Sequence, residues 1–227
     1  MRKRLTALVA GGLALAGGAG LLAYAVRQRR EPSACPYGLR FSLDLPRPSV
    51  TRPRLREMLA PKPGQRVLEV GPGTGYYALN VAGWLEPDGA LDVLDVQQEM
   101  LDHTMRRAHA LGISNIVPTP GDAQALPYPD GYFDAAYLVA TLGEVPDKGR
   151  ALSELRRVLE RGGRLVVGEV LLDPHRVSFE ELRRLTDAGG LNHWRTLKAS
   201  LGYFAAFRAS LKNRSITPRA NFRERPY

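Results

Sequence analysis

The chain has 227 residues, of which 44% are hydrophobic and 24% are charged, and its formal net charge is +9. This composition excludes a chain that is disordered throughout, and a single cysteine excludes an internal disulfide framework or a cysteine-rich zinc site. The basic balance first suggests a nucleic-acid binder. However, the net charge is +6 over residues 1–30 and +5 over residues 208–227, whereas residues 31–207 carry −2. The positive charge therefore belongs to the two ends.

The first predicted element is an uncharged run of 22 residues, 5–26. As a helix it would be about 33 Å long, enough to cross a bilayer core of about 30 Å. A cleaved signal peptide is the alternative, because the start is basic and Ala23-Tyr24-Ala25 fits a small-x-small cleavage site. The length of the run and the three arginines that follow it favour a membrane anchor with basic flanks over residues 1–30.

A polar, proline-marked connector, residues 27–48, follows the anchor, and a short helix is predicted over residues 49–59. Together they make up a second segment, residues 31–60, which includes the only cysteine, Cys35. The thiol stands in a polar connector, so we expect it to be unreactive.

A regular alternation of strands and helices then runs to residue 188. The predicted strands cover 66–70, 91–96, 116–119, 133–139 and 164–170, and the predicted helices cover 75–85, 97–111, 147–159 and 178–188. Gly112 is placed to end the second of these helices, and the Gly162-Gly163 pair to lead out of the third. The strand-like segments 193–199 and 203–209 indicate an antiparallel hairpin. The alternation predicts a Rossmann-like, doubly wound α/β sheet in a domain of residues 61–209, followed by a basic tail, 210–227.

The glycine-rich loop after the first predicted strand is the most informative stretch. Gly71, Gly73 and Gly75 form a G-x-G-x-G pattern between a strand and a helix. Glycines permit positive φ and let a ligand approach the backbone without a Cβ in the way. A tight strand-to-helix turn would use the same residues, so the loop alone does not establish a binding site.

Two acids follow at the ends of the next two predicted strands. Asp95 stands where a carboxylate can accept hydrogen bonds from the hydroxyls of a ribose. Asp122, within Gly121-Asp122-Ala123, stands where it can accept from the exocyclic amine of an adenine. Since the carboxyl ends of adjacent parallel strands meet at one edge of a sheet, the loop and the two acids predict a nucleoside site.

A nicotinamide dinucleotide is the alternative ligand for such a loop. Tyr76 stands where the third glycine of a G-x-G-x-x-G pattern is expected. Glu69, directly before the loop, suits an amine-bearing ligand better than a pyrophosphate. These residues favour a nucleoside without phosphates over NAD(P).

Taken together, the motifs resemble the series found in class I S-adenosylmethionine-dependent methyltransferases. The resemblance rests on residues 69–75 (EVGPGTG), Asp95, residues 121–123 (GDA) and residues 159–165 (LERGGRL). It spans about residues 36–209 and is greatest for the small-molecule branch of the ubiquinone/menaquinone-biosynthesis type. It implies a seven-stranded sheet that ends in an antiparallel hairpin. Residues 141–144 (TLGE) replace the histidine-bearing pattern frequent in the quinone branch, so the resemblance does not extend to a quinone acceptor.

The resemblance also implies which residues bind S-adenosylmethionine. The backbone of Gly71 and Gly73 would lie against its methionine part and ribose, and Glu69 would orient its amino-acid end. Residues after the second, third and fourth strands would hold the ribose, read the adenine and close the pocket. The full predicted set is Glu69, Gly71, Gly73, Gly75, Asp95, Val96, Asp122, Ala123, Ala140 and Thr141.

The acceptor side of the pocket shows no obvious catalytic dyad. Methyl transfer from a sulfonium has an activated leaving group, so the protein mainly supplies alignment, which accounts for roughly 7–11 kcal/mol of barrier lowering. Glu144 and His175 are the weak candidates for a catalytic role, with a solvated loop acid and an exposed turn histidine as the simpler interpretations. Tyr37 and Tyr137 are further candidates, and core packing is the simpler interpretation of Tyr137.

We therefore expect a membrane-anchored enzyme that moves a methyl group from S-adenosylmethionine to a small, lipophilic acceptor, with its domain on the cytoplasmic side, where that cofactor is made. The alternatives are a protein of the same fold that binds the cofactor or a partner without transfer, an NAD(P)-dependent oxidoreductase, and a nucleic-acid-modifying enzyme. The near-neutral central part argues against nucleic acid as a partner. No metal is expected, since His103 and His109 lie six residues apart and do not share a helix face.

Overall fold

The computed structural model describes residues 32–171 and 173–210. Seven strands form one mixed sheet in the order β3-β2-β1-β4-β5-β7-β6, and β7 runs antiparallel to both of its neighbours. The strands are β1 Arg66–Val70, β2 Ala90–Asp95, β3 Ile116–Pro120, β4 Phe133–Val139, β5 Leu159–Val170, β6 Leu191–Ala199 and β7 Gly202–Ala209. The predicted seven-stranded sheet with a final antiparallel hairpin is confirmed.

Helices cover both faces of the sheet. In the described ranges the α-helices are α1 Arg52–Leu59, α2 Ala78–Trp84, α3 Gln98–Ala110, α4 Lys148–Val158 and α5 Phe179–Ala188, and Tyr37–Asp44 and Leu142–Glu144 form short 3-10 helices. The helices α1 to α3 bury Leu55, Val81 and Leu101 against one face, and α4 and α5 bury Leu152 and Leu182 against the other. Strands that are apolar on both sides, as these are, require such a double covering.

The helix ends lie within three residues of the predicted ones, and capping explains where they fall. The side chain of Asp147 accepts a hydrogen bond from the backbone N–H of Arg150 at 2.9 Å, which starts α4. Ser178 accepts from the N–H of Glu181 at 3.1 Å and starts α5 in the same way. Gly112, with φ +69°, follows the end of α3 as predicted.

The fifth strand is longer than predicted. It begins at Leu159, directly after α4, so Gly162-Gly163 lies inside the strand and not at the exit of the helix. The pairing of β5 with β4 shifts register between Phe133 and Ala135, and Gly162 has φ +76°. From Phe133 to Ala135 β4 advances two residues while β5 advances five, from Leu159 to Arg164, so the irregularity accommodates three additional residues without ending the strand.

The segment predicted as a connector is folded onto the domain over its described part. The hydroxyl of Thr74, in the glycine loop, donates to Oδ1 of Asp44 at 2.9 Å, and Arg107 of α3 forms an ion pair with the same carboxylate at 3.0 Å. The side-chain amide of Gln97 donates to the carbonyl of Cys35 at 2.9 Å. These contacts hold the 3-10 helix Tyr37–Asp44 over the carboxyl edge of the sheet.

Two predicted segments lie outside the described residues. They are the membrane anchor, residues 5–26, and all of the basic tail except residue 210. Among the helices that the structure describes, none is long and apolar enough to cross a membrane.

Candidate functional site

A cavity of about 810 Å³ opens at the carboxyl ends of β1 to β5. This is the edge at which open α/β sheets bind ligands. Its walls are the glycine loop, the segments that follow β2 to β5, and residues 32–47. Eight of the ten predicted cofactor residues line it: Gly71, Gly73, Asp95, Val96, Asp122, Ala123, Ala140 and Thr141.

Two glycines of the loop expose backbone to the cavity. Gly71 has φ +72°, and a Cβ built on it would collide with the side chain of Thr141, 2.6 Å from Oγ1. Gly73 has φ +56°, and a Cβ there would lie 2.9 Å from Cδ1 of Leu43, in the 3-10 helix above. The hydroxyl of Thr104 donates to the Gly73 carbonyl at 3.0 Å and fixes the loop from below. The wall here is therefore main chain, with its conformation set from both sides.

Asp95 offers a buried hydrogen-bond acceptor on the cavity wall. Its side chain accepts from the backbone N–H of Gln97 at 3.0 Å, and its carbonyl accepts from the N–H of Gly121 at 2.9 Å. Burial raises the pKa of Asp95, and hydrogen bonds from backbone N–H groups partly offset that rise. The neighbouring Val96 is 58% exposed, so an apolar surface stands beside the carboxylate. This pairing suits a ribose and the base attached to it.

The carboxylate of Asp122 is engaged within its own loop. The backbone N–H of Gln124 donates to Oδ1 at 2.8 Å, and the side-chain amide of Gln124 donates to both carboxylate oxygens. A carboxylate has about four acceptor sites, so three such bonds leave room for one more donor. Ala123, next to it, is buried. Both residues are placed to contact a ligand.

The chain leaves β4 through a turn with an unusual backbone. Ala140 has φ +54°, a conformation that costs a residue with a Cβ about 1–2 kcal/mol, and its N–H donates to the carbonyl of Gly168 at 2.8 Å. The hydroxyl of Thr141 donates to the Val139 carbonyl at 3.2 Å. The turn presses the Thr141 side chain against Gly71, and strain of this kind clusters at functional sites.

Glu69 and Gly75 do not lie on the cavity wall, which differs from the prediction of direct contact with a ligand. Alternate residues of a strand point to opposite faces, and Glu69 of β1 is 2% exposed in the layer beneath α1 to α3. Its Oε2 accepts a hydrogen bond of 2.6 Å from the hydroxyl of buried Tyr137, and burial raises its pKa to about 8. Gly75 packs on Thr104. Tyr37 also lies outside the wall, edge-on to the ring of a histidine in α3.

Both acceptor-side candidates line the cavity. Burial raises the pKa of Glu144 to about 8, and Asp173 adds to the rise, whereas a hydrogen bond from the backbone of Cys35 lowers it. Nδ1 of His175 lies 3.7 Å from Oδ1 of Asp173, and its side chain is only 8% exposed. The carbonyl of His175 sits where a Cβ on Gly143 would be. Neither side chain is the freely solvated group of the simpler interpretation.

Arg47 is the main functional candidate that the sequence analysis missed. Its Nη2 donates to the carbonyl of Leu43 at 3.0 Å, and its guanidinium carbon lies 5.6 Å from the ring centroid of Tyr76. In the described part of the chain it forms no ion pair. Of the described lining residues it alone is an arginine or lysine, among four acids: Asp95, Asp122, Glu144 and Asp173. A lone arginine in a proline-marked segment carries no periodicity or motif, so no sequence signal marked it.

Curated relatives share part of this sequence. Over 138 residues the chain is 30% identical to 27-O-demethylrifamycin SV methyltransferase of Amycolatopsis mediterranei (strain S699), which corresponds to 60% of this chain and 50% of that protein. Over 117 residues it is 37% identical to the ubiquinone/menaquinone biosynthesis C-methyltransferase UbiE of Vibrio campbellii (strain ATCC BAA-1116), which corresponds to 50% and 45%. The chain therefore spans about half the length of the curated relatives it matches.

Solved structures share the fold. A SAM-dependent methyltransferase from Aquifex aeolicus superposes with a TM-score of 0.72 at 20% identity, over 78% of this chain and 100% of the other. The [4+2]-cyclase SpnF superposes with a TM-score of 0.65 at 23% identity, over 71% and 80%. At these identities the likeness establishes the architecture, and the second protein is named for a different reaction.

A family model extends the comparison to the site. The model of the ubiE/COQ5 methyltransferase family matches residues 44–183. The match includes the glycine loop, both acids of the nucleoside site, the turn after β4 and Arg47, and it confirms the resemblance to class I methyltransferases that use S-adenosylmethionine as cofactor. Because the model covers more than half of the chain, the chain belongs to the ubiE/COQ5 methyltransferase family.

Proposed function

We propose that this protein is a membrane-anchored enzyme that transfers the methyl group of S-adenosylmethionine to a small, lipophilic acceptor within the cavity. The cavity carries this proposal, because one space of about 810 Å³ is bounded by the glycine loop, by Asp95 and by Arg47. Such a volume is in the usual range for small-molecule sites and accommodates a cofactor beside an acceptor. The family match supports the same reaction class.

The residues present fit the cofactor. The backbone wall at Gly71 and Gly73 lets a ligand approach where side chains would stand. Asp95 and Val96 offer an acceptor for ribose hydroxyls and an apolar surface for the base. The bound cofactor would supply a methyl group on a positively charged sulfur; the acceptor would form a bond to the methyl carbon as the carbon–sulfur bond breaks, and the sulfur would keep that electron pair as a neutral thioether. The acids of the wall favour that positive charge.

Arg47 is suited to the carboxylate at the amino-acid end of the cofactor. Its guanidinium stands on the wall without an acidic partner in the described ranges, and a guanidinium pairs with a carboxylate through two parallel hydrogen bonds. Its approach depends on the 3-10 helix Tyr37–Asp44, which Thr74 and Arg107 tie down through Asp44. This segment therefore closes the cofactor side of the cavity.

Titration calorimetry of the full chain in mild detergent tests this assignment. We expect Arg47→Ala to weaken S-adenosylmethionine binding at least about tenfold, or about 1.4 kcal/mol. The affinity for 5′-methylthioadenosine, which lacks the amino-acid end, should change by no more than about twofold. Arg52→Ala is the matched control, because Arg52 lies 4.2 Å from the Tyr76 ring centroid but does not line the cavity. Absence of binding by the unaltered chain contradicts the proposed function. Equal losses for both ligands contradict only the role of Arg47.

Methyl transfer needs its own test, because binding of the cofactor does not by itself establish turnover. A protein of this fold that binds the cofactor without transferring its methyl group is the second candidate, since a neighbour of the same fold is named for a cyclisation and the fold does not fix the reaction. A lipid and metabolite extract is incubated with the full chain and deuterated-methyl S-adenosylmethionine, and the labelled products are identified by mass spectrometry. We expect a deuterated product in the lipid fraction. Tight cofactor binding with no labelled product would support the second candidate.

The anchor is proposed from the uncharged run of residues 5–26 and its basic flanks. We expect the full chain to stay in the membrane pellet after carbonate extraction, with the domain open to protease from the cytoplasmic side. The anchor is contradicted if the intact mass corresponds to a chain that begins near residue 26, or if carbonate extracts the protein completely from the membrane. Neither result affects the test of methyl transfer.

A further inference from the structure

Three large apolar side chains stand on the surface of the segment that covers the cavity. Leu39, Phe41 and Leu45 are 47%, 69% and 62% exposed, and we name them the apolar ridge. Leu39 and Leu45 also line the cavity, so they stand at its mouth, whereas Phe41 does not touch it. All three fall within residues 39–45 of this covering segment, and exposed apolar surface of this kind is typical of sites of interaction.

Arginines surround the apolar ridge. Arg40, in the same 3-10 helix, lies 4.4 Å above the ring of Tyr37, and Arg106 of α3 reaches the hydroxyl of that tyrosine at 3.5 Å. Both lack a carboxylate partner within the residues that the structure describes. Burial lowers the pKa of His103, in the same region, and Arg107, Arg106 and Arg40 lower it further, whereas Asp44 raises it. The ridge is therefore an apolar surface with a cationic border.

The ridge also lies close to the proposed anchor along the chain. Ten residues, 27–36, separate the end of the uncharged run from the 3-10 helix. Even fully extended they span at most about 35 Å, which is less than the roughly 40 Å diameter of a domain of this size. Arg27, Arg29 and Arg30 add further positive charge to this short link. A domain held on such a link presents the ridge side to the membrane.

We propose that the apolar ridge inserts into the headgroup region of an anionic bilayer, so that the mouth of the cavity opens toward the lipid from which the acceptor enters. This inference rests on the membrane anchor and the lipophilic acceptor proposed above. Apolar side chains beside arginines are the combination with which peripheral segments bind anionic interfaces. It explains why Leu39 and Leu45 stand at the mouth, because a lipophilic acceptor that leaves the bilayer meets apolar side chains as it enters the cavity.

Tryptophan quenching by brominated lipids tests the insertion directly. The full chain carrying Phe41→Trp is reconstituted into vesicles of phosphatidylcholine and phosphatidylserine whose acyl chains carry bromine. Leu111→Trp is the matched control, because Leu111 is 65% exposed at the end of α3, at the opposite edge of the sheet. The unaltered chain gives the background of Trp84 and Trp194. We expect Phe41→Trp to gain at least about twofold more quenching than Leu111→Trp, with a blue-shifted emission.

The outcomes separate the ridge from the anchor. If the chain stays with the vesicles but Phe41→Trp is quenched no more than Leu111→Trp, the ridge does not insert and the inference is wrong. A blue shift without lipid quenching points to a protein partner and equally overturns it. If the chain leaves the vesicles and Phe41→Trp is unquenched, the anchor and the ridge both fail. Substitution of Arg40 and Arg106 by glutamine should reduce the quenching in mixed vesicles and leave it unchanged in pure phosphatidylcholine.

Discussion

The contact between Gly71 and Thr141 allows a quantitative test of how the cavity wall is built. In Gly71→Ala the new Cβ meets two difficulties, a backbone at φ +72° and the side chain of Thr141, whose Oγ1 would be 2.6 Å away. Gly64 provides the matched control, because it has φ +79° with nothing within 4 Å of a built Cβ. The two substitutions therefore share the backbone cost and differ in the collision.

The expected magnitudes follow from these two contributions. A left-handed backbone costs a residue with a Cβ about 1–2 kcal/mol, which is the whole effect expected for Gly64→Ala. Overpacking in a well-filled region adds about 1–3 kcal/mol, so Gly71→Ala should lose about 2–5 kcal/mol in free energy of unfolding. Thr141→Ala removes both atoms that collide. In a double-mutant cycle, Thr141→Ala should restore about 1–3 kcal/mol of the free energy of unfolding that Gly71→Ala loses.

Urea denaturation of the full chain in mild detergent, followed by tryptophan fluorescence, measures these differences, and calorimetry with S-adenosylmethionine measures the site. Gly71→Ala should also weaken cofactor binding about tenfold or more, because Gly71 and Thr141 both form the wall, whereas Gly64→Ala should not change it beyond about twofold. Equal destabilisation by the two alanines, or no rescue by Thr141→Ala, would refute the idea that Thr141 fixes the position of the loop.

Three further predictions concern buried acids. Tyr137→Phe removes the donor of the 2.6 Å hydrogen bond to buried Glu69, so urea denaturation should show a loss of about 1–3 kcal/mol, and a loss below about 0.5 kcal/mol contradicts the pairing. Burial raises the pKa of Glu169 from 4.5 to about 8, so the native state keeps a proton that the unfolded state has released. The free energy of unfolding should therefore fall as the pH rises from 4.5 through about 8. Glu169→Gln should reduce the slope of the free energy of unfolding against pH by up to about 1.4 kcal/mol per pH unit. An unchanged slope rules out Glu169 as its source. Glu144→Gln should abolish the rise in turnover as the pH passes about 8, since ionised Glu144 can accept a proton from the acceptor, and a retained rise excludes it as the base.

The cofactor half of the site could be predicted because its signals are contiguous in sequence. A strand of apolar residues, three glycines and an acid at the next strand end are local features, and parallel-sheet topology brings them to one edge. Eight of the ten predicted residues line the cavity for this reason. The exceptions have physical causes. Glu69 lies within β1, where alternation points its side chain into the layer beneath α1 to α3, and Gly75 packs on Thr104.

The covering segment and the acceptor side of the cavity could not be predicted in the same way, because they are assembled from stretches of chain with no period of their own. Residues 32–47, the 3-10 helix Leu142–Glu144 and the loop after β5 meet only in the folded chain. The tie between Asp44 and Arg107 joins residues 63 positions apart, and such a contact leaves no local pattern. The raised pKa of Glu144 also arises only in the folded chain, because burial is its main cause and the neighbouring Asp173 adds to it.

This division also determines what can be carried over from relatives. The family match begins at residue 44 and therefore leaves out Leu39, Phe41 and most of the segment that covers the mouth of the cavity. A wall built from main chain tolerates little variation, whereas a covering segment held by a few side-chain contacts can change its apolar residues and keep the fold. In our proposal the acceptor meets that mouth and Glu144, so the acceptors in the names of the rifamycin and the ubiquinone/menaquinone relatives are not carried over to this chain with the fold. If the apolar ridge faces lipid, the chemistry of the acceptor follows from where the cavity opens.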